Sequence, residues 1–212
     1  MATISKLTAI GIMAVSFIAG FLSYYMLSNV SREDKKKHIG ELISQLINFV
    51  IFMWVAKIIL NFPGFLSDPL SVLAYPGDSS TFYLAVLITL FLLIYKKRQK
   101  KLDFLPFVDS FVHVFLIASF LYEFIEVIFQ ENMYAFGYLI LLAILIGLYF
   151  FLWERMSGKL LLMVILCGWS LGMIVLAWIL PFVTVFGYMM QPWFVGLFFV
   201  IILLFLLKER SA

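Results

Sequence analysis

Residues 81–101 read TFYLAVLITLFLLIYKKRQKK, an apolar run that ends abruptly in five basic residues out of six. The same alternation recurs along the chain. Arg32, Lys35, Lys36 and Lys37 form one basic cluster, the Lys96–Lys101 stretch a second, Arg155 and Lys159 a third, and Lys208 and Arg210 a fourth. These clusters hold thirteen of the fifteen Lys and Arg residues, and long apolar stretches separate them. Every second gap, near Pro63 to Ser80, Gln130 to Asn132 and Pro181 to Gln191, has no basic residue; the only charges there are Asp68, Asp78 and Glu131. Basic loops stay on the cytoplasmic side of a membrane, so this pattern reads as a topology.

Composition agrees. With 65% apolar and 13% charged residues, the chain lacks the charge a water-exposed surface needs. Seven stretches are expected to span about 30 Å of hydrocarbon: 7–27, 41–61, 81–95, 104–129, 133–153, 160–180 and 192–207. The third is short unless Ser79 and Ser80 extend it. The runs are continuously apolar, whereas barrel strands alternate, so the expected fold is an all-α polytopic bundle of seven transmembrane helices. Its N-terminus lies outside and its C-terminus in the cytoplasm. Residues 1–212 form a single integral membrane domain, because the connecting segments are too short for an independent soluble core.

Several function classes drop out. The net charge of +3 is spread over loops where anionic lipid accounts for it, so no nucleic-acid partner is expected. Cys167 stands alone in an apolar span and offers no disulfide or metal-ligand spacing; no metal or other cofactor is implied. The first span is preceded only by Lys6 and followed by a strongly basic flank, which reads as a retained helix rather than a signal peptide. No internal repeat marks two matching transporter halves.

Chemistry concentrates in the fourth span, which carries Asp109, His113, Glu123 and Glu126. At about 100° per residue, Asp109, His113 and Glu123 fall within about 40° of one line, and Glu126 lies roughly 60° further round. Ionisable groups at membrane depth face a bundle interior, pair with one another or serve a pathway. Asp109 and Glu126 lie near the span ends, where anchoring suits them equally. A hydrogen-bonded packing role is favoured for His113 over proton transfer. Lys57, one turn before the outer end of the second span, either snorkels to the surface or pairs with Glu123 or Glu126. Tyr24, Tyr25, Tyr75, Trp153, Tyr188 and Trp193 sit near span ends as interfacial anchors. Gly137 and Gly147, or Gly168 and Gly172, permit close helix contact within or between chains.

One order of features resembles the prolipoprotein diacylglyceryl transferase family. It comprises the outer stretch Leu66-Ser67-Asp68-Pro69-Leu70-Ser71-Val72-Leu73, then Gly77-Asp78-Ser79-Ser80-Thr81-Phe82-Tyr83. Gly20-Phe21-Leu22, Ser31-Arg32-Glu33-Asp34, Phe107-Val108-Asp109, Gly168 and Met190-Gln191-Pro192-Trp193 complete it. The resemblance implies seven spans with an external N-terminus in a bacterial cytoplasmic membrane, and a lipid and a lipoprotein as partners. The family's chemistry is missing. Its His-Gly-Gly element corresponds to Phe82-Tyr83-Leu84-Ala85. Its Arg followed by Gly-Asn-Phe and Asn corresponds to residues 120–126, where only Phe124 matches, and its second Arg is absent from Trp169-Ser170-Leu171-Gly172.

The expected function is a non-catalytic, transferase-like scaffold, a pseudoenzyme that binds a lipid, a lipoprotein or a partner membrane protein. Its candidate binding residues are Lys57, Tyr83, Asp109, His113, Glu123, Glu126 and Gln191, and no residue is assigned a catalytic role. An acyl or head-group transferase using carboxylate or His chemistry is the alternative, and a proton or cation transport component the second. Orientation is testable first. In a Cys167→Ala background in intact cells, single cysteines at 32–37 and 96–101 are expected to resist an impermeant thiol reagent, while those at 68–80 react. Strong labelling of the basic loops would reverse the topology.

Overall fold

An apolar chain in hydrocarbon must satisfy its backbone internally, and helices do so within each segment. The computed structural model of the protein is accordingly all-α apart from one short hairpin. It describes residues 2–74, 77–129 and 131–210, with side chains over 8–74, 77–129 and 131–201. Tyr75 and Gln130 lie outside the described residues, as do the side chains of Lys6, Lys208 and Arg210. The elements are α1 (Ala2–Leu27), α2 (Arg32–Leu60), α3 (Phe62–Ser67), α4 (Pro69–Ala74), α5 (Ser79–Arg98), α6 (Phe104–Phe129), α7 (Ala135–Leu152) and α8 (Gly158–Ile179). Strands β1 (Thr184–Val185) and β2 (Tyr188–Met189) and helix α9 (Pro192–Arg210) follow. Six helices, α1, α2 and α5 to α8, are long and apolar enough to cross a membrane, and the chain is a multi-pass membrane protein.

The helix ends follow from local chemistry. Ser31 caps α2 by accepting the Asp34 N–H at 3.2 Å. Asp78 caps α5: its carboxylate accepts from the Thr81 hydroxyl at 2.6 Å and the Thr81 N–H at 2.8 Å. Those bonds, the hydroxyl's first, hold the Asp78 carboxyl below the usual carboxylate range. Ser79 and Ser80 thereby join the third predicted span, making it 20 residues long. Asp68, between α3 and α4, accepts the Ser71 N–H at 3.2 Å, with Pro69 in the first turn, where its missing N–H costs nothing.

The chain divides into two compact units, residues 31–107 and residues 1–30 with 108–212. In the first, α2 and α5 pack antiparallel. The Phe49 ring meets Phe82 edge-on at 5.7 Å, and a side chain at Gly77 would meet Met53 and Lys57. Ala56 and Ala85 are fully buried, and small residues of this kind let two helices approach closely. At the end where α2 begins, Lys37 pairs with Asp103 at 2.9 Å, and that pair lowers the Asp103 pKa.

In the second unit α6 is the most enclosed span: 44% of its apolar window is buried, against 17–28% for the others. Helix α1 approaches it at Gly20, where an added Cβ would lie 2.8 Å from the Val114 carbonyl oxygen. Helices α7 and α8 meet through glycines. A Cβ at Gly172 would collide with Leu141, one at Gly168 would press on Leu145, and one at Gly137 would press on Leu176 and Leu180. The small-residue spacing thus serves contact within the chain at Gly137, Gly168 and Gly172, whereas Gly147 has nothing within 4 Å.

Residues 181–191, expected as a plain outer connection, fold back as the β1–β2 hairpin. Its two-residue turn places Phe186 at φ 50 and Gly187 at φ 80, the left-handed pair a tight hairpin requires. A bulky residue at positive φ is strained. The compensation is aromatic: Phe186 stacks on Phe17 at 5.0 Å and meets Tyr122 at 5.4 Å and Phe115 at 6.0 Å. Val183, Val185 and Met190 are buried, so the hairpin packs against protein instead of standing free.

The α1–α6 contact yields a paired expectation for the thermal midpoint of the detergent-solubilised protein. Gly20→Ala should destabilise by about 1–3 kcal/mol, because a carbonyl cannot move aside as a side-chain tip can. Gly11→Ala, with nothing within 4 Å, should be neutral or stabilise by up to about 1 kcal/mol through helix propensity. Equal effects would mean that α1 and α6 do not pack at Gly20.

Candidate functional site

The polar residues of α6 separate into two levels. At the inner level His113, 1% exposed, brings Nε2 to 3.0 Å from the Ser23 hydroxyl of α1. Four rings stand edge-on around the imidazole at centroid distances of 5.5–5.8 Å: Tyr24, Tyr149, Phe150 and Trp153. Tyr149 extends the group by donating its hydroxyl to Asp109 at 3.2 Å. Asp109, one helical turn before His113, thus joins the same cluster through a residue of α7. The His113 Nδ1 atom is buried and has no hydrogen-bond partner.

The outer level begins about 9 Å further along α6, where Ser119 and Glu123 lie one turn apart. Both are 1% exposed; Glu123 Oε1 is buried without a hydrogen-bond partner, while the Ser119 hydroxyl faces Tyr138. On α7 and α8 the Trp169 indole N–H donates to the Tyr138 hydroxyl at 2.9 Å, and Tyr138 is itself 1% exposed. Glu126 is half-buried near the end of α6, less enclosed than Glu123. Gln191 is exposed at the start of α9, and its carbonyl accepts the Phe194 N–H at 3.0 Å.

The remaining two candidates belong to the other unit. Lys57 is 8% exposed and donates to the Leu73 carbonyl at 3.4 Å, while Tyr83 is 6% exposed with its ring 6.3 Å from Phe82. Within the 1–30/108–212 unit the candidates fall at two levels of α6, with Gln191 at the start of α9. Asp109 and His113 are joined, and Glu123 and Glu126 share an outer stretch of α6. Lys57 and Tyr83 lie within residues 31–107.

This arrangement limits the chemistry. His113 and Glu123 are ten residues apart on one straight helix, about 15 Å, too far for an acid and a base to act on one bond. The buried polar residues of the 1–30/108–212 unit are Ser16, Ser28, Ser110, His113, Ser119, Glu123 and Ser170, with no Lys or Arg among those described. Among the described residues no group of three His, Cys, Asp or Glu side chains is placed to hold a metal ion. Ser23, Tyr149, Ser119, Tyr138 and Trp169 escaped the sequence reading because uncharged residues on other helices carry no positional signal. No protein-family model matches the chain, and neither a curated protein nor a solved structure matches it.

Removing one partner of a buried hydrogen bond costs more than removing both. Ser23→Ala should lower stability by about 1–3 kcal/mol, since it leaves both imidazole nitrogens unpaired among aromatic rings. His113→Phe combined with Ser23→Ala should recover most of that loss, read as thermal midpoints. Simply additive losses would mean that the Ser23–His113 bond is not made.

Proposed function

We propose that this chain is a non-catalytic, transferase-like scaffold of the bacterial cytoplasmic membrane, with seven spans, an external N-terminus and a cytoplasmic C-terminus. It binds a lipid, a lipoprotein or a partner membrane protein. The observation that carries this reading is the absence of a cation among the described buried residues around α6. An anionic head group needs fixed donors or positive charge where its bonds change. The positions where the resemblance calls for arginine hold Phe120, stacked on Phe124 at 6.2 Å, and the Leu171 region, where Leu171 is half exposed. Tyr83, in place of the family's base, is packed rather than presented.

The two alternatives draw less support. A transferase using carboxylate or His chemistry needs convergence, and the α6 groups sit at two levels. Proton passage along α6 draws on two partnerless buried atoms, His113 Nδ1 and Glu123 Oε1, but about 15 Å of helix separates them.

Gentle purification followed by identification of co-purifying lipid and protein tests the binding role, with a stoichiometric companion expected. The purified protein is also expected to transfer no diacylglyceryl group from phosphatidylglycerol to a lipoprotein-precursor peptide. Loss of several groups that act as a unit abolishes activity rather than trimming it. Turnover above a no-protein control would return the chain to the enzymes.

A further inference from the structure

Within residues 31–107, α2 and α5 leave between them an apolar groove of about 270 Å³, lined by Phe52, Ile88, Phe91, Leu92 and Tyr95. Its α5 residues follow i, i+3, i+4, i+7 spacing, so they form one stripe. The stripe covers about 10 Å along the helix axis. Phe91 is 76% and Tyr95 53% exposed, so the groove opens to the side of the helix pair. The next position of the same stripe is Arg98. Helical Cα–Cβ bonds tilt toward the helix N-terminus, which turns Arg98 back over the groove's lower end.

That end is strongly basic. Because α2 and α5 run antiparallel, the start of α2 and the end of α5 share it. Between them and the following loop they carry nine basic residues, Arg32, Lys35 to Lys37, Lys96 to Arg98, Lys100 and Lys101, against the acids Glu33, Asp34, Glu41 and Asp103. Lys37 is engaged with Asp103, and Lys97 lies over the Phe104 ring at 4.5 Å. Of the cations that follow Tyr95, Lys97 is thus engaged, which leaves Lys96, Arg98, Lys100 and Lys101 for the groove mouth.

We propose that the groove and the basic end of α5 form a site for an anionic phospholipid, with an acyl chain along Phe91 and the phosphate on Arg98, Lys96 and Lys101. The groove is about two helical turns long, too short to seat a partner helix but matched to the upper part of a fatty-acyl chain. Charge selects the lipid: basic residues just beyond a transmembrane helix attract anionic head groups by about fivefold each. A zwitterionic lipid would gain the groove and leave the cations unmatched. The inference rests on the scaffold reading only in requiring a bilayer.

The test uses the full-length protein in mixed bilayers. A bimane label at Phe91→Cys, in a Cys167→Ala background, is quenched by phospholipid carrying a nitroxide on its acyl chain, either phosphatidylserine or phosphatidylcholine. Phosphatidylserine should quench with a relative association constant at least about fivefold the higher. The same label at Leu171→Cys, an exposed position on α8, should show no preference. Arg98→Gln with Lys96→Gln and Lys101→Gln should bring the preference at residue 91 toward one. Raising the ionic strength should weaken it in the unsubstituted loop, which covers the case in which the triple variant inserts poorly. Equal quenching by the two lipids at residue 91, or a preference that survives both neutralisation and salt, would overturn the site. Neither result touches the transferase assay, so the site and the scaffold reading can fail separately.

Discussion

A backbone N–H or C=O in hydrocarbon has no water to bond, and each one left open costs several kcal/mol. The long helices answer that constraint within single segments. Burial in protein sets the same demand on the β1–β2 hairpin, whose strands pair with each other and whose flanks are buried among the side chains of its own unit. The Phe186 turn depends on the same enclosure. Left-handed backbone at a phenylalanine persists only where surroundings determine it, and rings from α1 and α6 do so. The glycines at α1–α6 and α7–α8 let the helices come close enough to provide those surroundings.

Much of the helical layout was legible because its signals are local. A basic cluster after an apolar run marks a helix end, and Asp78 before Ser79-Ser80-Thr81 marks a start, since a carboxylate there can take the first free N–H groups. The hairpin was not legible. Its residues, Thr184-Val185-Phe186-Gly187-Tyr188-Met189, hold one glycine and no alternation long enough to register. Its turn is fixed by rings from helices distant in sequence. The division at residues 30–31 and 107–108 also leaves no mark, because unit membership depends on which helices pack rather than on loop composition.

The site was legible residue by residue but not as an arrangement. Charge on an apolar helix picked out Asp109, His113, Glu123 and Glu126, and angular spacing placed three on one stripe. Spacing along one helix cannot say what stands opposite. The inner pair is joined by Tyr149 and boxed by aromatic rings, while Glu123 lies with Ser119 in a separate stretch. The letters that carry the transferase resemblance have a local explanation as well. Asp68-Pro69 opens α4 and Asp78 opens α5 by capping, and Gly20 and Gly168 are contact points between helices. Such chemistry recurs wherever membrane helices begin and pack, so those letters speak for architecture before they speak for catalysis.

Charge is partitioned between the two units in a way that bears on what each can do. The described buried His and carboxylate residues of the 1–30/108–212 unit are His113 and Glu123, whereas residues 31–107 hold the buried Lys57 and the two largest exposed basic clusters. An interior without fixed cations leaves an anionic head group only neutral donors such as Ser119, Tyr138 and Trp169. The other unit carries its exposed cations at one end, with Lys37 paired to Asp103, and its groove is lined by Phe52, Ile88, Phe91, Leu92 and Tyr95. Catalysis on an anionic lipid requires cation, acid and base in one place. Holding one requires less: charge at one end of an apolar helix pair suffices, and residues 31–107 supply that by themselves.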